Sequence, residues 1–311
     1  MSRTKIEARC VIDKLKVCYI QPQHLFEELV NRSGVNESED NYVDCGNFLL
    51  KLIDKVGKDG HYTQLDFAVI IPADSYCKLG TFIFTNSGKY DGLCFFTFEN
   101  LALYSVFSRT TQSNNYQGLL FYIADTLGLT YNNITQVDIA LDTTKNYIRH
   151  LRSYIHDFKR FEMFLNGKIV KDENATLENY GEYYSRSRLS MSRQPTLYFG
   201  QSKDIGLKMR VYNKSVELIE QSKQKAERYS EFVAFTTDSS IYRVEVVIKN
   251  NDIKAFHAIW KEQFGADDAE NILALLMNEK FNSAMWKWAT DRLVYFRDKT
   301  TKGNIYLSDI L

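Results

Sequence analysis

From Lys208 to Lys214 the chain alternates with period two. Met209 and Val211 share one face, and Lys208, Arg210, Tyr212 and Lys214 share the other. Three cations and one phenol on an open strand face suit a phosphate, although charge on an edge strand also blocks aggregation. Two further strands weigh on that choice. In Val137 to Asp142, Asp138, Ala140 and Asp142 lie on one face, with the small Ala140 leaving room between carboxylates. In Tyr242 to Lys249 the acidic Glu245 sits inside an otherwise β-branched run that reads as buried. Carboxylates are rarely buried unless paired or bound to a metal. Asp138, Asp142 and Glu245 are therefore candidate ligands for Mg²⁺ or Mn²⁺, which all-oxygen sites favour over zinc. A phenol with a pKa of about 10 needs help to ionise near neutrality, and Arg210 and Lys214 flank Tyr212 with positive charge. The chemistry this set suggests is transesterification at a phosphodiester.

Other schemes find little in the residues. The five histidines are far apart, without H-x-H or H-E-x-x-H spacing, so no zinc or paired-histidine site is visible. No Gly-rich phosphate loop or dinucleotide fingerprint appears, which argues against an ATPase or a dehydrogenase. No G-x-S-x-G elbow appears either. The five cysteines are scattered, with no C-x-x-C pair, and read as small core residues in a reducing cytosol. The polar start, Met1 to Glu7, has no signal peptide, and no apolar run reaches membrane-spanning length. A cytoplasmic protein without membrane contact is expected. Formal net charge is zero, yet residues 145–214 hold 14 Lys and Arg against 7 Asp and Glu, while residues 34–74 hold 3 against 8. A basic middle can track a phosphate backbone, because binding follows local counterion release rather than net charge.

In order and spacing, Asp138-x-Ala-x-Asp142, Tyr198-Phe-Gly200, Arg210-Val-Tyr-Asn-Lys214 with Glu217, and Arg243-Val-Glu245 resemble the replication initiation factor family, the Rep_trans group. The resemblance runs from about residue 134 to 250 and reaches earlier only in a strand such as Ile12 to Tyr19. Members of that family start rolling-circle replication of Gram-positive plasmids and some filamentous phages, and related members are relaxases of conjugative elements. Two departures stand out: Gln136 where the family usually has Arg, and a slightly longer turn, Gln201 to Asp204, bearing Ser202 and Lys203. The resemblance implies that Tyr212 is the nucleophile, giving a 5′-phosphotyrosyl protein and a free 3′-OH that primes synthesis. It implies a DNA origin, single-stranded or hairpin, as substrate, with a homodimer, a host helicase and a host polymerase as partners. It also implies an origin-selecting C-terminal part, making Lys287, Arg292, Arg297, Lys299 and Lys302 candidates for DNA contact.

The elements that must hold these residues read as strands at Val11 to Tyr19, Gln64 to Ile71, Lys78 to Thr85 and Leu93 to Phe98. Helices read near Pro22 to Asn31, Tyr116 to Leu127, Asn146 to Phe161, Ser215 to Arg228, Asn251 to Phe264 and Ala269 to Arg297. Asp172 to Pro195 lacks periodicity and reads as a mobile loop. Its Tyr183, Tyr184, Arg186, Arg188 and Arg193 are placed to stack on bases or grip phosphates, with Lys203, Lys208 and Arg243 as further DNA contacts. The expected fold is α+β: a curved antiparallel sheet carrying the active site, helices packed behind, and a helical C-terminal region. The expected division is a nicking domain over residues 1–250 and a helical origin-recognition region over residues 251–311. Initiator and conjugative relaxase share the same residues, and a non-enzymatic DNA-binding protein could keep the same sheet. A Tyr212 oxygen more than about 10 Å from all three carboxylates would favour the non-enzymatic reading.

Overall fold

Alternation of apolar and polar residues builds most of the strands, and the chain is mixed α and β around a large antiparallel sheet. The computed structural model describes residues 9–34, 41–58, 61–72, 77–100, 102–103, 116–170, 183–186, 196–200, 206–221, 240–265 and 272–310. Two compact units divide the chain: Lys14–Val137, and Met1–Asp13 with Asp138–Leu311. Strands β1 (Arg9–Ile20) and β7 (Thr130–Thr143) contribute residues to both.

The Lys14–Val137 unit contains β2 (Tyr42–Asp44), β3 (Leu49–Lys58), β4 (His61–Ile71), β5 (Cys77–Thr85) and β6 (Leu93–Phe98). Their order is β7-β1-β6-β5-β4-β3-β2, and the pairs from β1 to β2 are antiparallel. The register brings Phe82 opposite both Phe67 and Phe96. Phe67, Phe82, Phe84 and Phe96 are fully buried, with rings 4.8 to 5.9 Å apart in tilted, edge and stacked pairs. Each such ring contributes roughly 1.5–3 kcal/mol by leaving water. Gly80 sits where an added Cβ would lie 2.4 Å from the Thr97 carbonyl oxygen, so only glycine fits this pairing. Helices α1 (Leu25–Arg32) and α2 (Tyr116–Thr126) bury Leu25, Phe26, Leu29, Leu120, Ile123 and Ala124.

The other unit holds the motif strands. β10 (Tyr183–Arg186), β11 (Thr196–Phe199), β12 (Lys208–Asn213) and β13 (Tyr242–Lys249) run in the order β10-β11-β12-β13-β7-β1, antiparallel from β10 to β13. Gly200, at φ 72°, ends β11; a Cβ there would lie 2.4 Å from the Leu207 carbonyl oxygen. Helix α3 (Tyr147–His156) is capped by Asn146, whose side chain accepts from the Arg149 amide, and α4 (Lys214–Gln221) follows β12 directly. Helix α5 (Asn250–Phe264) ends at a left-handed Gly265. The short α6 (Ile272–Leu275) precedes α7 (Glu279–Leu293), whose Trp286 indole donates to the Val244 carbonyl of β13 at 3.2 Å. Phe256, Trp260 and Phe281 form the aromatic contact between α5 and α7.

Two helix ends differ from expectation because a strand pairing competes, and the helix expected over Ala269 to Arg297 is also broken between Leu275 and Glu279. The helix from Asn146 stops at His156, and Phe161 opens β8 (Phe161–Leu165) instead of closing the helix. The long C-terminal helix stops at Leu293, after which Val294–Asp298 forms β14. In β14, Val294, Phe296 and Asp298 are buried while Tyr295 and Arg297 are half-buried, a period-two pattern hidden behind helix-forming neighbours. β14 pairs antiparallel with β8 and with β15 (Asn304–Tyr306), and β9 (Lys168–Ile169) completes a second, four-stranded sheet. The chain closes with α8 (Leu307–Ile310). Residues after 250 thus belong to the same unit as the motif strands, and they carry a hairpin as well as helices. Among the described residues no helix is long and apolar enough to cross a membrane.

Candidate active site

The pairing of β12 with β13 sets Arg210 opposite Glu245 and Tyr212 opposite Arg243. Residues two apart on a strand share a face, so these four side chains project together. Tyr198 on β11 pairs with Arg210 and extends the same row. The Tyr212 hydroxyl donates to Glu245 Oε2 at 3.0 Å, and Arg210 Nη2 donates to Glu245 Oε1 at 2.6 Å. Glu245 is fully buried, whereas the Arg210 side chain is 41% exposed. Arg210 Cζ and Lys214 Nζ lie 5.3 and 5.7 Å from the centre of the Tyr212 ring. Lys214, the first residue of α4, also donates to Glu217 Oε2 at 2.5 Å.

A second ion cluster adjoins this one on the same strand. Arg243 Nε and Nη2 donate to Asp142 Oδ1 and Oδ2 of β7 at 2.6 and 2.7 Å, a bidentate pair, and Arg243 Nη1 donates to Asp13 Oδ1 of β1. Arg243 and Asp142 are fully buried. Burial alone would raise the Asp13 carboxyl, but Arg243, with Lys214 and Arg210 behind it, holds it below the ordinary value of 3.8. Glu245 shifts the other way, pushed above 4.5 by burial and then by the Asp13 charge. Burial and the facing Glu245 push the Tyr212 phenol well above 10, and burial with the Arg243 charge lowers Lys214. Burial would lower Arg210, but Glu245 outweighs it and keeps the guanidinium charged.

The structure therefore brings Tyr212, Arg210, Glu245, Arg243 and Asp142 together, with Lys214 against the tyrosine ring. Three expectations change. The cations flanking Tyr212 do not leave a poised phenolate, because burial and Glu245 together outweigh them. Arg243, expected at the DNA, is a buried partner of two carboxylates. Asp142 gives both oxygens to Arg243 instead of standing open for a metal. Asp138 is buried on β7, and among the described residues no group of three His, Cys, Asp or Glu is arranged to hold a metal ion. Lys208 is half-buried at the start of β12. Arg186 pairs through its backbone with Thr196 of β11. The side chains of Tyr183, Tyr184 and Arg186, and the whole of Arg188, Arg193 and Lys203, lie outside the described residues. Of the C-terminal cations, Lys287, Arg292 and Lys302 are exposed. Arg292 lies over Trp288 at 5.2 Å, Arg297 over Phe164 at 4.7 Å, and Lys299 donates to the Phe158 carbonyl at 2.6 Å.

Asp13 is the site residue that the sequence reading missed. Its signal is the one that marked Glu245: a carboxylate inside an apolar strand, here Val11-Ile-Asp-Lys-Leu15, whose adjacent Lys14 lies on the opposite face of the strand and so does not explain its burial.

The replication initiation factor family matches residues 132–296, more than half of the chain. No curated protein matches by sequence. Among solved structures, the rolling circle replication initiator protein from Geobacillus stearothermophilus aligns with a TM-score of 0.43 and 14% identity, covering 90% of this chain and 97% of that one.

Proposed function

Since the chain belongs to the replication initiation factor family, we propose that it initiates rolling-circle replication by nicking and rejoining DNA at an origin through Tyr212. The family implies DNA binding. The observation that carries the reading is the 3.0 Å hydrogen bond from the Tyr212 hydroxyl to Glu245, on a face that also presents Arg210 and Lys214. That distance is far inside the separation of about 10 Å that would have favoured a non-enzymatic protein.

In this reading Tyr212 Oη attacks the phosphorus of a scissile phosphodiester. A P–Oη bond forms, the bond from phosphorus to the 3′ oxygen breaks, and the product is a 5′-phosphotyrosyl protein with a free 3′-OH. The phenol is protonated at rest, so it loses its proton as it attacks, and Glu245 Oε2 already accepts that hydrogen. Arg210, the half-exposed cation of the site, meets the phosphate oxygens where negative charge accumulates. Lys214, buried against the ring with its pKa lowered, is placed to return a proton to the leaving 3′ oxygen. The ester stores the energy needed for rejoining, and a host helicase and polymerase would act on the exposed 3′ end.

The family generally uses a divalent metal. For Mg²⁺ or Mn²⁺ to sit on Asp138, Asp142 and Glu245 together, Arg243 would first have to release Asp142. The three-carboxylate set does not form with these contacts, and none of the steps above runs through the ion.

The test uses a pool of single-stranded oligonucleotides with a randomised segment, some flanked by hairpin stems, incubated with protein and Mn²⁺. Protein-linked DNA surviving detergent is expected for the wild type and lost in Tyr212→Phe, by several orders of magnitude in rate. Full adduct formation by Tyr212→Phe would overturn the reading.

A further inference from the structure

Arg243 engages three strands at once. It belongs to β13, takes both oxygens of Asp142 on β7, and takes one oxygen of Asp13 on β1. A planar guanidinium matches a carboxylate fork better than any other side chain, and here it is fully buried with its partners. A carboxylate pair without a cation would repel and resist burial, so something positive must sit between Asp13 and Asp142. In a metal-dependent site that place belongs to a divalent ion. In this protein a side chain fills it. A metal ion added at Asp142 would share one carboxylate with a guanidinium, two positive groups with no water between them. The geometry of β13 gives this anchor a consequence, because Glu245 follows Arg243 by two residues on the same face. Fixing Arg243 therefore fixes where Glu245 meets Tyr212 and Arg210.

We propose that the Arg243 guanidinium is the resident cation of the Asp13–Asp142 pair and that Asp142 is therefore no ligand for a divalent ion. The depressed Asp13 carboxyl agrees with a permanent cation at that point. The proposal does not depend on Tyr212 attacking DNA.

The experiment counts Mn²⁺ bound to the full chain without DNA, by electron paramagnetic resonance of the free ion. Wild type, Asp142→Asn and Arg243→Gln are compared, each checked for fold by circular dichroism. Asp142→Asn is nearly isosteric and still accepts from Arg243, so it tests the ligand role even where Arg243→Gln fails to fold. Asp142→Asn is expected to bind Mn²⁺ as the wild type does, tightly or not at all. Arg243→Gln, which frees two carboxylates, is expected to bind Mn²⁺ about tenfold more tightly or better. A loss of about tenfold or more in Asp142→Asn, or a folded Arg243→Gln with no gain, would overturn the proposal.

Discussion

In the Lys14–Val137 unit the buried face of β4, β5 and β6 is hydrocarbon: Phe67, Phe82, Phe84 and Phe96 pack ring against ring. In the other unit β12 and β13 bury Tyr212, Arg243 and Glu245 on one face, with Asp13 and Asp142 brought to it. Both are antiparallel strands with period-two alternation, and in both the residues just named are buried. Their energetics differ. Each phenylalanine stabilises the fold by leaving water, whereas each buried charge must first lose its hydration and recovers it only through its partner. A cluster of that kind is poor evidence for stability, and its presence on the motif strands points to chemistry.

The largest effects should come from breaking each face singly. Arg243→Met strands two buried carboxylates and should cost about 3–5 kcal/mol, and Phe82→Ala about the same through the cavity it leaves. The two should part when repaired. Replacing Asp13, Arg243 and Asp142 together with Leu, Met and Leu should recover most of the loss, because an apolar trio needs no partners. Urea denaturation measures all three variants. A triple variant as unstable as Arg243→Met would mean that the charged face stabilises as the aromatic one does.

A smaller, signed effect is expected from pH. Glu245, raised by burial and by Asp13, destabilises when ionised, and that cost is relieved as pH falls through its raised value toward 4.5. Asp13 has the opposite sign. Arg243 outweighs burial there, so its contribution is present above 3.8 and lost as pH falls through the lower folded value. Urea midpoints measured from about pH 7 to about pH 3 should show the first arm missing in Glu245→Gln and the second retained. Phe82→Leu should keep both arms. Parallel curves for wild type and Glu245→Gln would contradict the assignment.

The smallest effect belongs to the rim. Lys208→Ala should weaken binding of single-stranded DNA uniformly across sequences and reduce the log–log salt slope by about one, read by fluorescence anisotropy. An unchanged slope would remove Lys208 from the phosphate path.

Much of this was legible in the residues because strands declare their faces. The alternation from Lys208 to Lys214 and the buried carboxylate in Tyr242 to Lys249 placed Arg210, Tyr212 and Glu245 on facing strands, and the register joined them. What could not be read was the partner of each charge. Arg243 and Asp142 are 101 residues apart, and Arg243 and Asp13 are 230 apart. Nothing local to any of them says that the guanidinium turns inward instead of toward DNA. The same limit hid β14, where Val294–Asp298 follows a strong helix and becomes a strand only because β8 and β15 are there to pair with it.

The central claim, that the charged face of β12 and β13 reacts through Tyr212, is tested most directly by mapping the attached DNA. Protein-linked oligonucleotide is digested with trypsin and nuclease, and the nucleotide-bearing peptide is sequenced by mass spectrometry. Trypsin cuts after Arg210 and Lys214, so the expected product is the four-residue peptide Val211 to Lys214 with its phosphate ester on Tyr212. A nucleotide on any other peptide, that of Tyr198 included, would contradict the account.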